Sequence, residues 1–139
     1  MQTFLPYPDV IDSLIVLDNK RLGKQRVEAY QIYLALTVPS YGWKHHPATL
    51  MWRGYESALI YYMNNCITEW VKRGFNNNMA RGNVGDVIFP PWFGDERLHA
   101  SHRSNLLRKD PVYYSQFQWT EPNDLSYYWP VTKNSNITP

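Results

Sequence analysis

From Pro47 to Gly74 an apolar residue recurs at every third or fourth position, as Met51, Tyr55, Ala58, Tyr62, Cys66 and Trp70, a period that an α-helix gathers onto one face. Proline suits the first position of that helix, where the N–H it lacks has no partner in any case. Gly74, directly after Lys72 and Arg73, reads as the C-terminal cap. Upstream, Pro6 and Pro8 punctuate the start and Asp9 stands where an N-cap belongs. The helical spacing of Leu22, Ala29, Tyr33 and Leu36 then predicts one long helix from about Val10 to Thr37, ended by Pro39 and Gly42. A third helix is predicted from Asp95 to Lys109, stopping at Asp110-Pro111 because the residue before a proline avoids helical geometry.

Between the second and third helices, Asn76 to Asn83 is polar and contains glycine, which predicts a surface loop, and Val84 to Pro91 reads as a short extended segment. The end of the chain concentrates Tyr113, Tyr114, Phe117, Trp119, Tyr127, Tyr128 and Trp129 without a clear period, the pattern of an irregular segment laid over a helical body. With 139 residues, 44% of them hydrophobic, the chain can bury one core of ordinary size but not two. The expectation is an all-α fold: a single compact domain, 1–139, of about three main helices with an irregular, aromatic-rich C-terminal segment. No window approaches the run of about 18 apolar residues that spans a bilayer, and no basic n-region precedes an apolar stretch at the start. The single Cys66 leaves no internal disulfide and no Cys-x-x-Cys spacing for zinc. These features predict a cytoplasmic protein, bacterial or of a phage-infected cell, without a membrane partner.

A formal net charge of +2 does not by itself point to nucleic acid; the distribution of charge says more. Lys20, Arg21, Lys24 and Arg26 crowd one stretch with no acid among them. Arg97, Arg103, Arg108 and Lys109 form a second cluster with His99 and His102. On the predicted first helix, Arg21, Lys24, Glu28 and Gln31 share a face distinct from the apolar one. A lone carboxylate among cations there fits an intrahelical ion pair, since Lys24 and Glu28 are four residues apart. It fits also a carboxylate that carries chemistry on an anion-binding face. The sequence leaves both open.

The run Leu17-Asp18-Asn19-Lys20-Arg21-Leu22 to Glu28, then His46-Pro47 and a long helix ending Lys72-Arg73-Gly74-Phe75, resembles the pyrimidine-dimer DNA glycosylase, or endonuclease V, family. The resemblance covers roughly the first 75 residues. Laying the family's two leucines on Leu17 and Leu22 brings its catalytic glutamate onto Glu28 without a gap. Two positions depart: Val27 stands where the family has an arginine, with Arg26 adjacent, and Arg21 replaces a histidine. The resemblance implies a DNA-repair glycosylase with abasic-site lyase activity, needing no cofactor, acting as a monomer on double-stranded DNA that it bends to extrude a nucleotide. It implies the N-terminal α-amine as nucleophile, here that of Met1 because Gln2 hinders methionine removal. An α-amine titrates near pH 8 and a lysine side chain near about 10.4, so at pH 7 the unprotonated fraction of the former is roughly a few hundredfold larger. Several more residues separate the start from the glutamate than in the family, so the amine must be brought back to Glu28, a task that falls to the Pro6-Tyr7-Pro8 segment; failing that, Lys24 is the nearest substitute. The alternatives are a non-catalytic DNA-binding relative and a glycosylase acting on a modified phage base.

The DNA-contacting residues expected on this reading are Arg21, Lys24 and Arg26, with His46 at the start of the second helix and with His102 and Arg103 on one face of the third. Asp95, His99 and His102 share a helical side, but two histidines and one distant carboxylate without a second motif do not make a metal site. Trp43, Trp52, Tyr55 and Trp92 are candidates for stacking on an exposed base. Trp52 and Tyr55 lie near the core stripe and are expected to be buried; Trp43, in a turn, is the freer one.

Overall fold

The computed structural model describes residues 1–131; the last eight residues of the predicted 1–139 domain lie outside the described residues. The fold is all-α. Three long helices, α2 (Asn19–Thr37), α4 (Glu56–Lys72) and α5 (Glu96–Lys109), are joined by the short α1 (Val10–Ile15), α3 (Pro47–Leu50) and α6 (Pro111–Tyr114), and a 3-10 turn follows at Ser115–Phe117. Among the described residues there is no strand, so Val84–Pro91 pairs with nothing as a sheet, and no helix is long and apolar enough to cross a membrane.

The helix predicted from Val10 to Thr37 is two helices, and the carbonyls exposed at the break have a partner. Asp9 caps α1 by accepting from the Asp12 N–H at 2.8 Å. After Ile15 the chain turns, leaving carbonyls that the helix no longer satisfies. Arg73, at the far end of α4, takes them: its guanidinium donates to the carbonyls of Leu17 at 2.7 Å, Ile15 at 3.2 Å and Leu14 at 3.3 Å, and to Asn19 Oδ1 at 2.9 Å. Glu69 holds the same guanidinium at 2.8 Å. The helix predicted from Pro47 is likewise divided. His46 Nδ1 accepts from the Ala48 N–H at 3.0 Å and Pro47 opens α3, but Gly54, at φ +86°, turns the chain before α4 begins. Gly74, at φ +92°, ends α4 as the sequence indicates.

α2 packs along α4 through Leu22, Ala29 and Ile32 on one side and Ala58, Leu59, Tyr62, Cys66 and Ile67 on the other. Gly23 lets Trp70 lie against α2, since a Cβ there would stand 2.9 Å from the indole ring. Trp52 is fully buried, Trp92 nearly so and Tyr55 half-buried, while Trp43 is 59% exposed. Cys66 is buried, and burial pushes its thiol up and keeps it protonated, which removes it as a nucleophile.

α5 is the unexpected element. It is rich in polar residues, yet His99, Ser101, His102, Arg103, Ser104 and Asn105 are all buried. Two irregular segments flank it. The C-terminal one is bonded through the Leu125 N–H to Ser104 Oγ at 3.0 Å, the Leu125 carbonyl to Asn105 Nδ2 at 3.0 Å and the Tyr128 N–H to Ser101 Oγ at 3.1 Å. A segment outside any helix or sheet must find partners for its backbone, and here a polar helix supplies them.

Candidate active site

On the other side of α5 runs the start of the chain. Residues 2–6 are buried and lie outside any helix. Side chains from three helices meet their backbone groups. The Phe4 N–H donates to Gln25 Oε1 at 2.9 Å and the Leu5 N–H to His102 Nδ1 at 2.8 Å. Tyr62 Oη donates to the Phe4 carbonyl at 2.9 Å, and Arg103 donates to that of Pro6 at 2.7 Å. His99 Nδ1 faces the Leu5 carbonyl at 2.8 Å, while its Nε2 accepts from the Gly94 N–H at 2.9 Å. Both contacts require a neutral ring with the proton on Nδ1, and burial holds this imidazole below the usual histidine range.

His102 and Arg103 were expected on a surface meeting phosphates. The structure places both behind the N-terminal segment instead. His102 is fully buried, and burial, reinforced by the nearby His99, pushes its pKa down to about 3. Arg103 is 8% exposed and pairs with Glu96 and with Glu121, the latter at 2.8 Å. Their polarity serves backbone groups and two carboxylate partners, a use that helical periodicity cannot distinguish from solvent exposure.

Held in this way, the N-terminal segment delivers Met1 to a cleft of about 410 Å3 on the polar side of α2. Glu28, Lys24, Arg21 and Lys20 line it from α2, and Lys109 and Tyr127 from the opposite wall. The Pro6-Tyr7-Pro8 segment bends the chain and is pinned where the Tyr7 N–H donates to Ser13 Oγ at 3.0 Å and that hydroxyl donates back to the Tyr7 carbonyl at 2.9 Å. The Glu28 carboxylate does not pair with Lys24 among the described residues; its Oε2 accepts from Gln25 Nε2 at 2.9 Å. Arg21 is anchored on Asp18 at 2.9 Å, and Asp18 in turn receives the Tyr114 hydroxyl at 2.5 Å. The cleft therefore unites Met1, one carboxylate and a ring of cations, an arrangement suited to proton transfer beside an anionic ligand.

Four of the expected site residues, Met1, Arg21, Lys24 and Glu28, meet in the cleft. Arg26 does not. It lies 4.6 Å over the Trp70 ring and donates to Asn77 Oδ1 at 2.7 Å, on the side where α2 meets α4. His46 stands outside the lining, edge-on between Trp43 at 5.9 Å and Trp129 at 5.7 Å. Partial burial, and then the positive charge of the N-terminus, hold its imidazole below the usual range. Two residues of consequence were not singled out in the sequence. Lys109 belongs to a visible basic cluster, but only the fold sets the end of α5 beside α2. There, partial burial and the charges of Arg21, Lys24 and Arg108 hold its ammonium below the usual lysine range. Gln25 carried a readable signal: it falls three residues after Leu22 and four before Ala29, a polar residue on the packing stripe.

Among curated proteins and among solved structures, nothing matches the chain. The family model described as pyrimidine dimer DNA glycosylase matches residues 1–83, the part that contributes Met1, Gln25 and Glu28 to the cleft.

Proposed function

The chain belongs to the pyrimidine dimer DNA glycosylase family, whose members act on DNA, and from that premise we propose that it excises a damaged pyrimidine and nicks the strand through an imine on the amine of Met1. The observation that carries this reading is the sharing of one cleft by Met1 and Glu28. The amine nitrogen attacks C1′ of the damaged nucleotide. The base leaves with the electron pair of the glycosidic bond and takes up a proton, the sugar ring opens, and the amine is left joined to C1′ as an imine. Loss of a proton from C2′ then expels the 3′ phosphate, and water hydrolyses the imine to return the amine.

In this scheme Glu28 stabilises the cationic sugar and carries protons during ring opening and elimination. Lys20, Arg21, Lys24 and Lys109 meet the phosphates that flank the reacting nucleotide, which has to leave the base stack to reach the cleft. Exchange of Lys109 for alanine is accordingly expected to weaken binding to duplex DNA about tenfold at moderate salt. It should also lower the slope of log affinity against log salt by about one. Fluorescence anisotropy across a salt series measures both, and an unchanged slope removes Lys109 from the DNA interface.

The reading is tested by sodium borohydride reduction in the presence of duplex DNA that carries either a thymine dimer or an abasic site. A covalent adduct is expected with both. An adduct with the abasic duplex alone keeps the lyase step and refutes dimer excision. The absence of an adduct with either refutes imine chemistry and favours a protein that only binds DNA.

A further inference from the structure

Gln25 stands at the junction between the two parts of the cleft. Its side chain is 1% exposed, on the face of α2 that packs against α4, where the periodicity otherwise places leucine and alanine. A buried primary amide is costly unless its donors and acceptor are used. Here Oε1 accepts from the Phe4 N–H at 2.9 Å and lies 2.7 Å from the Tyr62 hydroxyl, while Nε2 donates to Glu28 Oε2 at 2.9 Å. The amide orientation follows from chemistry. Turned over, it would aim an NH2 at the Phe4 N–H and an oxygen at a carboxylate, two unfavourable contacts in place of two hydrogen bonds.

The Tyr62 hydroxyl lies between the Phe4 carbonyl at 2.9 Å and Gln25 Oε1 at 2.7 Å, so its one hydrogen serves both the N-terminal segment and the amide. Tyr62 is fully buried, and burial pushes its phenol up, which keeps that hydrogen in place. The network thus ties the backbone three residues from the amine to the carboxylate across the cleft through a single rigid side chain.

We propose that Gln25 is a positioning residue of the reaction, its amide fixing the Glu28 carboxylate relative to the segment that carries the Met1 amine, with Tyr62 setting the amide's orientation. This rests on the imine reading above. Reaction geometry is sensitive to small displacements, whereas affinity for DNA comes mainly from the cations that Gln25 does not touch. Loss of the network is therefore felt in the chemical step and not in binding.

The test uses the full chain with Gln25→Met, which keeps the length and apolar stem of the side chain but makes none of its hydrogen bonds, and Tyr62→Phe, which removes only the hydroxyl. Three quantities are compared with the wild type: the dissociation constant for abasic-analogue duplex, the single-turnover rate of borohydride-trappable adduct at saturating protein, and the pH profile of that rate. Affinities within threefold are expected. The rate should fall at least thirtyfold in Gln25→Met and about tenfold in Tyr62→Phe, with a changed profile in the former because the carboxylate loses its donor. A rate within threefold of wild type, or a fall that matches the loss of affinity, overturns the proposal. If Gln25→Met does not fold, Tyr62→Phe decides by the same criterion. A wild type that forms no adduct overturns the imine reading and this inference together, whereas a wild type that traps normally beside equally fast variants overturns this inference alone.

Discussion

Glu28→Gln should lower strand cleavage at an abasic site by about a thousandfold or more, in the range general acid–base groups contribute, while affinity for the same duplex stays within about threefold. The replacement has the shape of glutamate, and its side-chain oxygen can still accept from Gln25 Nε2, so the neighbouring network and the fold are kept. What it lacks is a charge to set against a cationic sugar and a basic oxygen to take a proton. Single-turnover nicking, with binding followed by anisotropy, separates the two effects. Cleavage within tenfold of wild type would take Glu28 out of the mechanism.

The second large effect concerns the scaffold. His102 is neutral in the folded protein, with Nδ1 committed to the Leu5 N–H and a folded pKa of about 3, whereas in the unfolded chain it takes up a proton near pH 6.5. The unfolded state therefore binds more protons below pH 6.5, so this contribution to stability is complete above that pH and is lost as pH falls toward 3. Between pH 6.5 and 5 the loss from His102 amounts to about 2 kcal/mol. That window lies above the range in which Glu121 and Asp95, both held below the usual carboxylate range mainly by their arginine partners, take up protons. His102→Gln keeps an acceptor for Leu5 and cannot titrate, so urea unfolding of this variant should show a slope smaller by about 1.4 kcal/mol per pH unit. Equal slopes in the two proteins would mean that His102 is not held neutral behind the N-terminal segment.

Why α5 must carry such residues becomes plain only in three dimensions. His102 and Arg103 are polar and follow a helical period, and a sequence offers no means of telling a side chain that meets solvent or phosphate from one that satisfies the backbone of a distant segment. The same limit applies to the break between α1 and α2. The carbonyls left at that break are met by Arg73, more than fifty residues away, while the local spacing from Val10 to Thr37 is that of one helix. Boundaries written locally were legible. Pro47 opens α3, Gly74 closes α4, Asp95 caps α5, and Asp110-Pro111 ends it. Gly54 is equally local, but Met51, Tyr55 and Ala58 carry the apolar period straight across it and hide the turn.

The candidate site divides in the same way. The polar face of α2, with Arg21, Lys24 and Glu28, follows from periodicity alone, and the assignment of chemistry to Glu28 and Met1 came only from the family resemblance. Their presence in one cleft depends on where the first six residues run, and that is fixed by Gln25, Tyr62, His99, His102 and Arg103. Arg26 belongs to the same basic run as Lys24, but two residues of helix turn it toward Trp70. A basic cluster in sequence is thus split between binding and packing by helix geometry.

The amine at Met1 is the proposed nucleophile, and the cleft holds three other amines, Lys20, Lys24 and Lys109, that could take its place. Borohydride-trapped complexes on abasic duplex should therefore be digested and the modified peptide sequenced by mass spectrometry. The account predicts the reduced sugar adduct on the α-nitrogen of the first residue. An adduct on the side chain of Lys20, Lys24 or Lys109, with the N-terminal peptide unmodified, would overturn that assignment.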